Sequence, residues 1–227
     1  MNDTIGLREH KKDATRRLLM RIALGLFEER GFASVSVAQV AAAAQVSKKT
    51  VFNYFACKED LILSAGRQHI AEPAAVVRER APGQTPHSAL RAYLLTALAE
   101  RRPMTGLSGR TDPLRLARLI AATPALAARR LEYDRQSQDL LAEVLAEEHS
   151  SEITARLVAA QLLSVQQVLF AENWRRVTAG ESPDDVYPDA VRATEHAFQL
   201  LEHGLGDLFR RLGTRTNGQA SSPGRLL

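Results

Sequence analysis

The sequence predicts an all-α protein, a compact helical unit at the amino end followed by a larger helical body. Three observations carry that expectation. Alanine and leucine dominate while aromatic residues make up only 5% of the chain, the composition that helical bundles favour. Apolar residues recur at three- and four-residue steps, and no alternating β-pattern appears. Four capping residues stand directly before a proline, at Thr85-Pro86, Asp112-Pro113, Thr123-Pro124 and Ser182-Pro183. Proline suits the first helical position because its missing N–H had no partner there.

In chain order, residues 1–10 read as a loose arm and Lys11 to Arg30 as the first helix. Leu18, Ile22 and Leu26 form one i, i+4 row and Leu19, Ala23 and Phe27 a second, and Gly31 ends the helix as a C′ residue. Ser36 caps a short helix from Val37 to about Ala44, whose Val37, Val40 and Ala41 share a face. Gln45 and Val46 make a turn, with Gln45 held at positive φ at a cost of roughly 1 kcal/mol. Ser47 caps the next helix, Lys48 to Phe55, whose apolar side is read as Val51, Phe52 and Phe55. Lys48, Lys49, Thr50, Asn53 and Tyr54 are then left facing outward. A fourth helix opens at Lys58, Glu59 and Asp60 and runs to about Arg80, with Pro73 as a kink. Further helices are expected at 86–102, 113–122, 124–148, 151–179 and 188–212. The loop Pro103 to Thr111 reads as mobile and the tail 213–227, rich in Gly, Ser and Thr, as disordered.

The outward set near the amino end is chemically lopsided. No acidic residue occurs from Gly31 to Lys58, although 25% of the chain is charged. Lysines and the free N–H groups of a helix start hold phosphates, and amides and lysines reach base edges in a major groove that admits one helix. Two helices joined by a tight turn, the second offered to DNA, form a helix–turn–helix. The plain alternative is a solvated helical hairpin that lacks acids. On the first helix Lys11, Lys12, Arg16 and Arg17 fit either phosphate contact or an ordinary solvated end.

The residues Arg16, Leu19, Ile22, Ala23, Leu26, Phe27, Gly31 and Phe32, then Ser36, Val37, Val40, Ala41, Ala44, Val46 and Ser47, then Thr50, Phe52, Tyr54, Phe55, Lys58, Glu59 and Leu61 resemble the DNA-binding domain of the TetR family of bacterial transcriptional regulators. The resemblance covers about the first quarter of the chain. Gln45 and Lys49 depart from it, since the family favours glycine at both positions. Ser36, Gln45, Ser47, Lys48, Lys49, Thr50, Asn53 and Tyr54 are the candidate DNA contacts on the outward side, and the resemblance implies a phosphate contact from Lys58. It also implies a domain boundary near residue 60, with 61–212 forming an effector-binding and dimerisation domain. The partners it implies are a palindromic double-stranded operator, a second copy of the chain and a small-molecule effector. Repression from the bacterial cytoplasm is the family default.

The body supplies two further expectations. In the last helix Val191, Phe198, Leu201, Leu205, Leu208 and Leu212 step by seven, three, four, three and four, a seam suited to another helix; Phe198, Leu201, Leu205 and Leu208 are assigned to a dimer interface. The helix before it is apolar on more than one side, with Ile153, Leu157, Ala160 and Val168 against Leu162, Val165, Leu169 and Phe170. Such a helix needs covering on two sides, by its own bundle and by a twin or, alternatively, wholly inside a monomer. Tyr93, Met104, Leu119, Tyr133, Gln161, Gln166 and Phe170 are the candidate walls of an effector pocket, with ordinary core packing as the competing reading.

Charge and motifs limit the other classes. The net charge is +4, with 30 basic and 26 acidic residues, so affinity for DNA rests on local placement. A single cysteine, Cys57, rules out an internal disulfide and fits a reducing compartment. The charged start excludes a signal peptide, and polar interruptions in 153–171 argue against a membrane span. No phosphate loop, zinc-protease motif, paired-cysteine zinc pattern or nucleophile elbow occurs, so neither catalysis nor a cofactor is assigned; an all-helical enzyme and an architectural DNA binder without an effector remain the rival readings. His196 and His203, seven apart on one face, read as packed or interfacial residues.

Overall fold

The computed structural model describes residues 3–67, 69–108, 111–148 and 151–204, and among them ten α-helices, one 3₁₀ turn and no strand. Helix α1 is Asp3–Arg30, α2 is Val37–Ala43 and α3 is Lys48–Tyr54. Helix α1 begins eight residues ahead of the expected start, because Leu7 to Lys12 are all helix-compatible and only Gly6 weakens the run. The leucine rows on α1 are unequal in depth. Leu19, Ala23 and Phe27 are buried, Ile22 and Leu26 half-buried, and Leu18 is exposed.

The expected long fourth helix is two helices. Helix α4 is Asp60–Arg67 and α5 is Glu72–Arg78. Pro73, in the first turn of α5, offers no N–H, and its ring would meet the carbonyl four residues back if the helix ran through. The chain turns instead, with His69 N donating to Gly66 O and Glu72 N to His69 O.

Helix α6 is Pro86–Ala99, α7 is Thr111–Ala122, α8 is Pro124–Glu148, α9 is Glu152–Thr178 and α10 is Pro183–His203. Thr85 and Ser182 cap α6 and α10 through their hydroxyls as expected. Helix α10 therefore starts five residues earlier than predicted and carries Pro188 inside its first turns. Residues expected to form a mobile loop are packed instead. Pro103–Thr105 forms a 3₁₀ turn, and Leu107 is wholly buried. Gly106 sits at φ +77 with a virtual Cβ only 2.6 Å from Phe170 O, so glycine alone lets this turn close on α9.

Three cores result. The first joins α1–α4 through Leu19, Phe27, Val40, Val51, Phe55 and Leu61, and it takes in Leu126 and Tyr133 of α8. The second is the body proper, with Val77, Leu94, Leu141, Leu162 and Phe198 among its members. The third, smaller, is built on Leu98, Leu107, Val177, Val186 and Ala190. Helix α9 is long and apolar enough to cross a membrane by length and composition alone; it packs on α8 and α10 and carries Arg175 and Arg176 in its last turn.

Candidate nucleic-acid interface

The amino-terminal hairpin is pinned by side-chain caps. Ser36 Oγ accepts from Gln39 N at 3.2 Å while Gln39 Oε1 accepts from Ser36 N at 2.7 Å, a reciprocal capping box that satisfies two free amides. Ser47 Oγ accepts from Thr50 N at 3.0 Å, and the two hydroxyls lie 2.8 Å apart. Between the caps, Gln45 adopts φ +54, the left-handed turn conformation expected for it. Val51 and Phe55 fix α3 to the core at 1% and 2% exposure. With those two positions buried, the opposite side of the helix must face solvent.

On that side Ser47, Lys48, Lys49 and Asn53 are exposed and Thr50 is half-buried, and Ser36 and Gln45 are exposed beside them. Two residues stand differently from expectation. Tyr54 is half-buried, packed against the first core and tilted on Phe55 with ring centroids 6.4 Å apart. Phe52, read from sequence as part of the apolar side, is 46% exposed. Successive helical residues are about 100° apart, so Val51 and Phe55 can share a face that Phe52 leaves.

The cations around this surface are largely free of carboxylates. Lys12, Arg17 and Arg21 are exposed, and no ion pair within 4.0 Å engages Lys12, Arg16, Arg17, Arg21, Lys48 or Lys49 among the described residues. Arg16 lies over the Phe55 ring at 5.5 Å and Lys48 over Phe52 at 5.8 Å. Lys58 is different. Its ammonium donates to the Phe32 carbonyl and sits 4.2 Å from the Phe32 ring centroid, and burial lowers its pKa. The group the resemblance assigns to a phosphate is thus turned onto the loop between α1 and α2. Cys57, beside it, is a half-buried free thiol whose pKa burial raises.

Sequence reasoning did not find the junction behind this surface. Asp60, only 1% exposed, accepts from Tyr133 Oη at 2.6 Å. Arg129 Nε stands 3.6 Å from its Oδ1 and Arg67 4.0 Å from its Oδ2. Burial, then the bond to Asp60, pushes the Tyr133 phenol up to about 12. A second tie is the forked contact of Arg115 on Glu28, with Nε 2.9 Å from Oε1. Tyr133 therefore belongs to the α4–α8 junction, and Leu119 packs on the first core. Gln161 is exposed on α9. These three leave the expected pocket set.

Met104, Gln166 and Phe170 do come together, around a cleft shared with Leu94, Leu98 and Thr105. Tyr93 stands next to it, its hydroxyl 2.5 Å from Glu72 Oε2 and 3.1 Å from Met104 Sδ. The dimer assignment also changes. Phe198 is 1% exposed, ringed by the second core with His87 at 5.2 Å, and Leu201 packs on the same core. The described part of the α10 seam is used within the chain: Val191, Phe198 and Leu201 join its cores, and α10 packs on α6 and α9. Leu205 and Leu208 lie outside the described residues. Three of the six exposed large apolar residues are on α9, Ile153, Leu157 and Val168 at 63%, 55% and 68% exposure; the others are Leu18 on α1, Phe52 on α3 and Leu131 on α8. His196 and His203 are exposed on α10.

Residues 19–65 match the family described as "Bacterial regulatory proteins, tetR family". The HTH-type transcriptional regulator TcmR of Streptomyces glaucescens is 28% identical over 177 residues, which span 75% of this chain and 78% of that protein. Among solved structures, native NalD of Pseudomonas aeruginosa, described as the secondary repressor of the MexAB-OprM multidrug efflux pump, superposes with a TM-score of 0.54 at 19% identity, covering 82% of this chain and 97% of that one. A second crystal structure of NalD gives 0.52 at 19% identity, over 83% and 97% of the two chains. At that identity the likeness is one of fold.

Proposed function

We propose that this chain, whose residues 19–65 form a tetR-type helix–turn–helix, is a transcriptional regulator that binds a palindromic operator as a homodimer and releases it on binding a small molecule. The observation that carries the reading is α3: capped, anchored on one side, and exposing Lys48, Lys49 and Asn53 on a surface without a carboxylate from Gly31 to Lys58. Residues 1–60 act as the DNA-binding unit, with Lys48, Lys49 and Asn53 reaching bases or phosphates. Arg17 and Lys12 lie on phosphates beside them. Residues 61–212 form the body that pairs and senses.

Pairing rests on α9. Its exposed Ile153, Leu157 and Val168 follow steps of four and eleven, which keep them on one side of a helix, while Leu162 and Leu163 fill the chain's own core. A two-fold pair presents two copies of α3, which demands an operator with approximate palindromic symmetry. For the effector, the cleft bounded by Met104, Gln166 and Phe170 is the favoured place; at about 10 Å³ it has room for little more than a water, so the walls must part to admit a ligand. Its Thr105, Asn173 and Thr194 already hydrogen-bond to backbone carbonyls, so it suits an uncharged, largely apolar molecule. The ligand acts by preferring one setting of α4 against α8. As the relatives are named regulators and repressors, repression from the cytoplasm is the role assigned.

The test is selection of genomic fragments from the source organism by the purified protein, followed by affinity against salt. A recurring palindrome bound at least about 1,000-fold more tightly than random DNA supports the reading. Equal affinity for all sequences would make the chain an architectural binder.

A further inference from the structure

Half of the Asn173 amide is unused. Only 5% exposed, Asn173 lines the cleft with Thr194, Gln166 and the apolar Met104, Leu169 and Phe170. Its Nδ2 donates to Thr105 O at 2.9 Å. That bond settles which way the amide lies, since a backbone carbonyl takes the amide nitrogen and not its oxygen. The Oδ1 is therefore turned away from Thr105 O. It accepts from no group among the described residues and is not sealed from solvent, so its lone pairs open on the cleft. Thr194, 1% exposed on α10, borders the same space. Its hydroxyl proton goes to Ala190 O at 2.8 Å, which leaves only lone pairs to offer. The Thr105 hydroxyl is engaged on both counts, donating to Arg102 O and accepting from Leu107 N.

Two buried acceptors side by side select their occupant. Carboxylates, phosphates, ethers and ketones set lone pairs against lone pairs, whereas a hydroxyl or N–H brings the proton that both oxygens lack. Gln166, half-buried on the wall, can turn its amide to donate or accept and so does not select. No charged side chain lines the cleft. Arg130 stands over the Phe170 ring but pairs with Asp134 at 3.9 Å, and Glu72 takes the Tyr93 hydroxyl proton. At about 10 Å³ the space holds one water-sized group, the size of a hydroxyl or N–H head. The rest of a ligand then lies on Met104, Leu169 and Phe170 as they give way, and the unbranched Met104 adapts readily. We infer that the ligand of this cleft is an uncharged, apolar molecule bearing a hydrogen-bond donor, a hydroxyl or an N–H, which Asn173 Oδ1 and Thr194 Oγ1 accept. This rests on the reading of the cleft as the effector site and deepens it by naming the polar end of the ligand.

Calorimetric titration of the full chain, free of DNA, tests this with four probes that share one apolar body: 4-propylphenol, 4-propylaniline, 4-propylanisole and 4-propylbenzoate. The phenol and the aniline bind. The anisole and the benzoate, which cannot donate, bind at least about tenfold more weakly, because the buried acceptors are left unpaired. Thr194→Val keeps the shape and removes one acceptor, so the phenol-to-anisole ratio falls at least about threefold. Asn173→Leu removes the other and lowers the ratio as far or further. It also frees Thr105 O, so circular dichroism is recorded beside it. Thr194→Val, whose lost bond lies within its own helix, decides the matter if Asn173→Leu does not fold.

The proposal falls if none of the probes binds, if the anisole or the benzoate binds as tightly as the phenol, or if the folded variants keep the wild-type ratio. A mobility-shift titration on the selected operator separates this from the parent reading. A phenol that binds as expected yet leaves operator affinity unchanged refutes effector release alone. Release by the anisole or the benzoate as readily as by the phenol refutes only the need for a donor.

Discussion

The two ends of this molecule treat positive charge in opposite ways. In the body, every described arginine from Arg78 to Arg192 except Arg118 stands within 4.0 Å of a carboxylate. Arg176 alone spans Glu181 and Asp189, and the lowered pKa values of both carboxylates follow from its hydrogen bonds. In the amino-terminal unit Lys12, Arg16, Arg17, Arg21, Lys48 and Lys49 meet no acid within 4.0 Å among the described residues. The residue types divide the same way, for all five lysines fall in the first 58 residues. Arginine's planar fork matches carboxylates two bonds at a time, while lysine is a mobile point charge. The body thus neutralises itself, and the small net charge of +4 hides a surface where positive potential is left for a partner.

The sharpest way to break this comparison is to reverse charge at each end. Lys48→Glu with Lys49→Glu should weaken operator binding more than about 100-fold, because two copies lose their counterion-releasing contacts and gain repulsion. The circular dichroism spectrum should not change, since both side chains are exposed. Arg135→Glu with Arg175→Glu, equally exposed in the body, should alter operator affinity less than about twofold and leave stability little changed. Mobility-shift titrations of the two double variants decide it. If the body variant loses DNA as badly as the first, the division of labour is wrong.

The junction between the ends gives the next largest effect. Asp60 is the one buried carboxylate that the amino-terminal unit keeps for internal use, and Tyr133 is its direct donor. Tyr133→Phe leaves a buried carboxylate one hydrogen bond short, which costs about 2 kcal/mol and lowers the melting temperature by about 4–8 °C. The raised phenol pKa sets the pH window. Tyr133 holds its proton more tightly folded than unfolded, so its contribution is intact below pH 10 and fades as pH rises toward about 12. Thermal melts across alkaline pH should therefore converge for wild type and Tyr133→Phe.

A smaller effect tests the hairpin's geometry. Gln45→Gly removes a side chain from φ +54 and should stabilise by about 1 kcal/mol, raising the melting temperature by about 2–4 °C. Operator affinity should not improve in proportion, because the caps at Ser36 and Ser47 already hold the turn.

What the sequence disclosed follows the range of the forces involved. Caps, turns and helix ends are local, so Ser36, Ser47, Thr85, Ser182 and the strained Gln45 were readable, and α8 was bounded at 124–148 as the structure has it. The all-α class and the acid-free surface were equally plain. Contacts between distant segments were not. Nothing near Asp60 announces Tyr133, 73 residues on. Periodicity found the apolar row of α10 but assigned its Phe198 to a twin, whereas Phe198 fills this chain's own core. Phe52 was misplaced because hydrophobicity was taken for burial, whereas Val51 and Phe55 seat α3 without it. The Pro73 break was underestimated as a kink.

Lys58 gives the smallest and most discriminating test, since it is the one lysine in the acid-free unit that behaves like a body arginine. Its ammonium is held by the Phe32 carbonyl and by the rings of Phe32 and Phe27, and burial depresses its pKa. A charge used that way fastens the α1–α2 loop and contributes no counterion release. Lys58→Met keeps the aliphatic stem against the rings and removes the charge. It should cost under about 1 kcal/mol of stability and leave the slope of log affinity against log salt unchanged, with any loss of binding uniform across operators. The phosphate contact implied by the resemblance demands instead that the slope fall by about one unit per protomer. A fall of that size would show that the side chain leaves Phe32 on binding, and the unpaired cations of the comparison would then number one more.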